Sequence, residues 1–193
     1  MIKDYVTNLL ITVLDLRPET TTVERALGYY RANCASQVGT FAELRLLLES
    51  SIPDRDIARR LWGCGYGNRI ATLRRFVLFL ESIGITSQSA LEAWARAADF
   101  ERDFKGRVPG LALATFKWLV MRVGVNTIKP DLHVLNFVET TLGFSLSDAE
   151  AVSISEQVAR DLKIAASQLD ARIWCYQRRR LRLGGEASDT KPS

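Results

Sequence analysis

The sequence predicts an all-α fold. Apolar residues recur three and four positions apart in most of its longer segments. Ser, Thr or Asp stand where these segments begin and Gly or Pro where they stop, and no β-branched run alternates beyond a few residues. The 193 residues, 47% hydrophobic and 25% charged, suffice for one compact domain or two small lobes sharing a cleft.

Taken in order, Thr20 to Thr22 offer N-caps for a helix from Val23 to Arg31, and Phe41 to Glu49 forms a second that ends before Pro53. Asp54 is placed to cap a third helix, Ile57 to Trp62. Gly63, Gly65 and Gly67 then impose a turn. Asn68 to Ser82 is helical and stops at Ile83-Gly84, and Ser87 to Ala98 is a shorter helix. A loop from Phe104 to Gly110 leads into a helix from Leu111 to Val123. After a second loop, 124–130, Asp131 caps Leu132 to Leu142, and Ser147 to Trp174 supplies one or two closing helices. The tail from Gly184 to Ser193 is rich in Gly, Ser, Asp and Lys and is expected to be disordered.

No stretch reaches the roughly 20 apolar residues that cross a bilayer. The apolar run 6–14 is flanked by Asp4 and Asp15 and has neither a basic leader nor a small-residue cleavage site. A cytoplasmic protein without a signal peptide is therefore expected. Cys34, Cys64 and Cys175 are widely spaced and form no CxxC pair, so they read as free thiols and not as zinc or iron–sulfur ligands. A single histidine, His133, excludes mechanisms that need several. The net charge of +4 is compatible with a polyanionic partner without requiring one.

The stretch Lys105-Gly-Arg-Val-Pro-Gly-Leu-Ala-Leu-Ala-Thr-Phe-Lys117 carries the chemistry. A Pro-Gly turn running into a helix presents backbone N–H groups and the positive end of a helix dipole to an anion, and Lys105 and Arg107 flank it. Downstream, Pro130-Asp-Leu-His-Val134 sets a carboxylate at the start of the next helix.

These segments resemble the endonuclease III, or helix-hairpin-helix, superfamily of DNA glycosylases. Val108-Pro-Gly-Leu-Ala-Leu-Ala-Thr115 is similar to its hairpin and Pro130 to Val134 to its aspartate motif. Leu47 to Asp54 is similar to its helix and DNA-intruding loop, and Cys64 to Ala71 to the turn that follows. The second hairpin glycine of the family is Ala112 here, and the Schiff-base lysine falls on Ala114. The resemblance therefore implies a monofunctional enzyme that hydrolyses the N-glycosidic bond of a modified, damaged or mismatched base and leaves an abasic site. It further implies two helical lobes flanking a DNA-binding cleft: a central barrel at 38–128 with the hairpin, and a second lobe from 1–37 plus 129–183, before the tail 184–193.

On this resemblance Asp131 is the catalytic carboxylate, stabilising positive charge on the sugar and orienting water. Capping its own helix is compatible with that role. The amides of Gly110, Ala112 and Ala114 hold a phosphate, with Thr115, Lys105, Arg107 and Lys117 beside them; Lys117 reads mainly as a phosphate contact or solvated lysine. Carbonyls around Gly106, Val108 and Leu111 are candidates for a sodium or potassium ion, with no other cofactor. Ser51, Ile52, Tyr66 and Asn68 are candidates for filling the gap left by a flipped base, and Arg69 for a phosphate. Of the tryptophans, which more often line the core or a cleft wall, at most one, Trp62 or Trp118, is expected to stack on a flipped base in the base pocket. His133 reads as a hydrogen-bonded, partly buried imidazole. The run Arg178-Arg-Arg-Leu-Arg182 reads equally as a track for the DNA backbone or as a solvated helix end. The partner implied is double-stranded DNA, met by a monomer in repair or in defence against phage DNA. The alternative is a non-catalytic DNA-binding or lesion-sensing module.

Overall fold

In the computed structural model, which describes residues 2–16 and 20–186, ten α-helices and one π-helical turn make up the regular structure, and no strand occurs among the described residues. The helices are α1 (Tyr5–Leu14), α2 (Thr20–Asn33), α3 (Phe41–Glu49), α4 (Asp54–Trp62), α5 (Gly67–Ser82), α6 (Gln88–Ala97), α7 (Leu113–Arg122), α8 (Leu132–Leu142), α9 (Asp148–Asp161) and α10 (Ala166–Glu186). The π-helical turn spans Phe100–Phe104. No described helix is long and apolar enough to cross a membrane. The chain divides into two compact units, Met1–Val125 and Asn126–Ser193.

In the N-terminal unit the run 6–14 becomes α1, and all ten residues of that helix are buried. Asp4 caps it by accepting from the Thr7 amide at 2.6 Å. Complete burial leaves the polar side chains of Asn8 and Thr12 without water, so each must find a protein partner. Asn8 Nδ2 donates to Ile2 O at 3.1 Å and to Gln88 Oε1 at 3.0 Å, Thr12 Oγ1 donates to Asn8 O at 2.7 Å, and their remaining acceptors are met by Arg122, at the last turn of α7. Its Nε donates to Asn8 Oδ1 at 3.3 Å, and its Nη2 donates to Asn8 O at 3.2 Å and to Thr12 Oγ1. Burial lowers the Arg122 pKa to about 9. The guanidinium carbon lies 5.2 Å from the centre of the Trp118 ring, whose negative face offsets part of that desolvation.

The second organising centre is Phe104, which is fully buried. It stands among Phe76, Phe79, Trp94, Phe100 and Phe116 at ring-centroid distances of 5.3 to 6.4 Å. The sequence reading opens a loop at this residue; the structure instead closes a π-helical turn on it, with Lys105 N bonding back to Phe100 O at 2.7 Å. Five-ring packing decides the backbone here against local propensity.

The C-terminal unit has its own core, in which Ile128, Val134, Val138, Ala159, Ala166 and Ile173 join α8, α9 and α10. Ser147 caps α9 through a reciprocal bond with Glu150, and Asp131 caps α8. The partition differs from the expected one: 1–37 do not group with 129–183, because Val6, Leu9, Val23 and Tyr30 pack in the same core as Leu44, Ile57 and Phe76.

Three local expectations are corrected. Asp54 does not cap α4; it is that helix's first residue, preceded by Pro53, and its carboxylate accepts from Arg74 Nη2 at 2.9 Å. The helix after the hairpin starts at Leu113, because Leu111 closes a turn and Ala112 is extended. Residues 184–186 continue α10, while 187–193 of the expected tail lie outside the described residues.

Phe104→Ala should cost about 3–5 kcal/mol, since a fully enclosed ring is lost and its neighbours cannot all collapse inward. Chemical denaturation should show a lowered midpoint with an unchanged slope; a loss below about 1 kcal/mol would mean that the ring cluster is not the organising centre.

Candidate functional site

Two sets of residues from the sequence analysis come into focus, one in each unit. In the N-terminal unit, Val108 O accepts from Leu111 N at 3.1 Å, with Pro109 and Gly110 between them. Gly110 has φ of +88°. Proline second and a positive-φ glycine third define a type II β-turn, and a side chain at position 110 would be strained. Val108 and Leu111 are buried and clip the turn to the core, whereas Pro109, Gly110 and Ala112 are exposed. Ala112 precedes α7 with no side chain to cap it. The amides of Gly110, Ala112, Leu113, Ala114 and Thr115 accordingly meet no acceptor among the described residues. This run of uncommitted amides at a helix N-terminus can accept an anion.

Around the turn, Lys105 is exposed and pairs with Glu101 at 2.7 Å, so its charge is partly answered within the chain. Arg107 is exposed and close to Asp103. Of the three carbonyls named as ion ligands, at Gly106, Val108 and Leu111, that of Val108 already accepts the turn's hydrogen bond. Lys117 and Thr115 are half-buried on the first turns of α7.

Ser51 and Ile52 are exposed in the link between α3 and α4, and Tyr66 and Asn68 are exposed at the start of α5. The start of α5 instead lies against the first turn of α4: a Cβ on Gly67 would stand 3.0 Å from the Arg55 amide, a tight contact that the neighbouring backbone would have to relax. Arg69 and Trp62 do not have the expected roles. The Arg69 guanidinium is half-buried and donates to Val13 O at 2.6 Å and to Leu16 O, capping the C-terminal carbonyls of α1 instead of facing DNA. Trp62 is only 2% exposed and belongs to the core, so it cannot stack on a flipped base. Trp118 is half-buried beside Arg122.

In the C-terminal unit, Asp131 uses one oxygen as a cap. Its Oδ1 accepts from the amides of His133 at 3.0 Å and Val134 at 3.2 Å, while Oδ2 accepts no hydrogen bond among the described residues. Asp170 of α10 lies close behind. Its Oδ1 accepts from the Lys129 amide at 3.0 Å, and Lys129 O in turn accepts from the Asp131 amide at 2.8 Å. Burial raises the Asp170 pKa to about 6, with the Asp131 charge adding to the shift and Lys129 opposing it. The His133 and Trp174 rings pack at a near-right angle with centroids 6.4 Å apart, and the Arg178 guanidinium sits 4.5 Å over the Trp174 ring. Sequence reasoning missed Asp170 and Trp174 as neighbours of the aspartate motif. The signal was present in the spacing 170, 174, 178, which falls on one face of a helix. Among the described residues no group of three or more His, Cys, Asp or Glu could hold a metal ion.

A family model described as a domain of unknown function, DUF8548, matches residues 67–178. The chain belongs to the DUF8548 family. No curated protein and no solved structure matches it. The DUF8548 span runs from the first residue of α5 to Arg178, and so contains the type II turn, Asp131, Asp170 and Trp174.

The raised Asp170 pKa fixes a pH dependence for this DUF8548 protein. A folded-state value near 6 against 3.8 for an ordinary aspartate means that the native state binds the proton more tightly. The resulting stabilisation is full below about pH 4 and is lost as pH rises through 6. Asp170→Asn mimics the protonated carboxyl and can still accept from Lys129. It should be more stable than the parent at pH 8 by about 1–2 kcal/mol, after allowance for partial solvation, and equal to it at pH 4. Parallel stability-against-pH curves for the two proteins would refute the assignment.

Proposed function

We propose that this protein is a monofunctional DNA glycosylase of the helix-hairpin-helix kind, with residues 100–122 as the hairpin element and two helical lobes flanking the DNA. The observation that carries the reading is the divided carboxylate of Asp131. One oxygen is spent on the α8 cap, which fixes the group's orientation, and the other is uncommitted.

Breaking an N-glycosidic bond leaves positive charge on the deoxyribose, and a carboxylate oxygen held beside it lowers the barrier without having to reorganise. The same oxygen can take a proton from the attacking water. Asp170 supports this from behind by tethering the Lys129 amide, two residues before Asp131. In the N-terminal unit, the type II turn and the uncommitted amides from Gly110 to Thr115 suit a backbone phosphate, which would set the register of the strand. Ser51 and Ile52, exposed in the α3–α4 link, and Tyr66 and Asn68, exposed at the start of α5, supply the side chains that replace an everted base. Ala114 at the Schiff-base position leaves hydrolysis as the chemistry.

A second reading, a lesion sensor without turnover, is favoured by one feature: Ala112 and Ala114 stand where an active bifunctional enzyme carries glycine and lysine.

The test is excision from duplexes carrying alkylated, deaminated, oxidised or hypermodified bases, read with and without alkali. One base should give alkali-dependent strand breaks. Asp131→Asn should lower that rate by at least about 100-fold. Asparagine caps a helix as well as aspartate does, so the variant's stability should stay within about 0.5 kcal/mol of the parent. DNA binding with no product across the whole panel would replace the enzyme with the sensor.

A further inference from the structure

The basic run that opens at Arg178 is not uniform. Arg178, Arg179 and Arg180 are all exposed, yet among these three only the first is seated on an aromatic ring. Its guanidinium lies 4.5 Å over Trp174, one helical turn earlier on α10, and His133 of α8 packs against that indole at a near-right angle. Trp174 is half-buried and therefore a fixed platform. An exposed arginine normally loses rotamer freedom when it binds an anion; one whose guanidinium already rests over an indole has surrendered part of it. The ring contact is electrostatic and uses none of the guanidinium N–H donors, which form no hydrogen bond among the described residues and can pair with phosphate oxygens.

We infer that Arg178, pre-positioned by Trp174, is a DNA-phosphate contact of the C-terminal unit, placed through His133 beside the aspartate motif. This rests on the glycosylase reading and deepens it by assigning a backbone contact to the unit that carries Asp131. The neighbouring Arg179 and Arg180 contribute only to the general positive field. Arg178 fixes one phosphate, and with it the register of the strand near the carboxylate.

Affinity for a fluorescently labelled 20-base-pair duplex, measured across a salt series, tests the inference apart from excision. Each phosphate contact contributes about 0.9 to the slope of log K against log salt. Arg178→Ala should lower that slope by about 0.9 and weaken binding roughly tenfold at 0.1 M salt. Trp174→Leu, which keeps the arginine but removes its platform, should weaken binding nearly as much, and Trp174→Phe should restore part of it. Arg179→Ala should change affinity less than about threefold, and circular dichroism of each variant guards against misfolding.

Equal losses for Arg178→Ala and Arg179→Ala would show a diffuse field and overturn the inference. An undiminished affinity in a folded Trp174→Leu would overturn the platform. In either case a slope that still falls for Arg107→Ala leaves DNA binding through the hairpin standing. Absence of salt-dependent binding in the parent protein would remove the glycosylase reading itself.

Discussion

Everything in the N-terminal unit depends on an unusual choice, the complete burial of α1. Ten consecutive buried residues include Asn8 and Thr12, whose polar groups cost free energy unless matched inside the protein. Arg122 answers both, and its own burial lowers its pKa to about 9. Arg122 is also the last residue of α7, the helix that begins just past the type II turn. The Ile2 amide adds a further tie to Arg122 O at 3.0 Å. The first described helix thereby anchors the far end of α7, the helix that follows the type II turn. At α1's other end Arg69 caps the last carbonyls and binds α5 to the same element. A charge buried in this way fixes register, because its removal would leave the buried Asn8 Oδ1 without a donor among the described residues.

The C-terminal unit solves a different problem, holding a short extended segment in a fixed course before Asp131. Three side chains do this. Asn126 accepts from the Ser167 amide at 3.2 Å, Thr127 donates to Glu156, and Lys129 donates through its amide to Asp170. The segment thus draws on both α9 and α10, and neither helix is adjacent to it in sequence. A carboxylate is held in a fixed orientation only if the backbone before it is, and such stitching is how a small helical unit fixes that of Asp131.

Helices and their caps were legible because their causes are local. Asp131 before Leu132, Ser147 with Glu150, and Pro109-Gly110 before a helix each state their geometry within four residues. What failed was fate at a distance. Arg69 reads as a phosphate ligand from its neighbours, and nothing near it reveals that the carbonyls of Val13 and Leu16 lie within reach. Trp62 and Trp174 are the same residue type at helical positions, yet one is sealed in a core and the other supports Arg178. Asp170 is 39 positions from Asp131, the difference between the two residue numbers, so only the packing of α10 on α8 brings them together. The expected grouping of 1–37 with the C-terminal helices failed for the same reason: the partners of α1 are settled by its buried surface.

The three thiols differ sharply in their surroundings. Cys34 is buried and Cys64 half-buried, and desolvation raises both pKa values and leaves them poor nucleophiles near neutrality. Cys175 is exposed and immediately follows Trp174. A maleimide dye offered to the native protein would therefore go to one position without any engineering, on the helix that supports the aspartate motif. The molecule carries its own reporter, and the emission of that dye would follow events along α10 in real time.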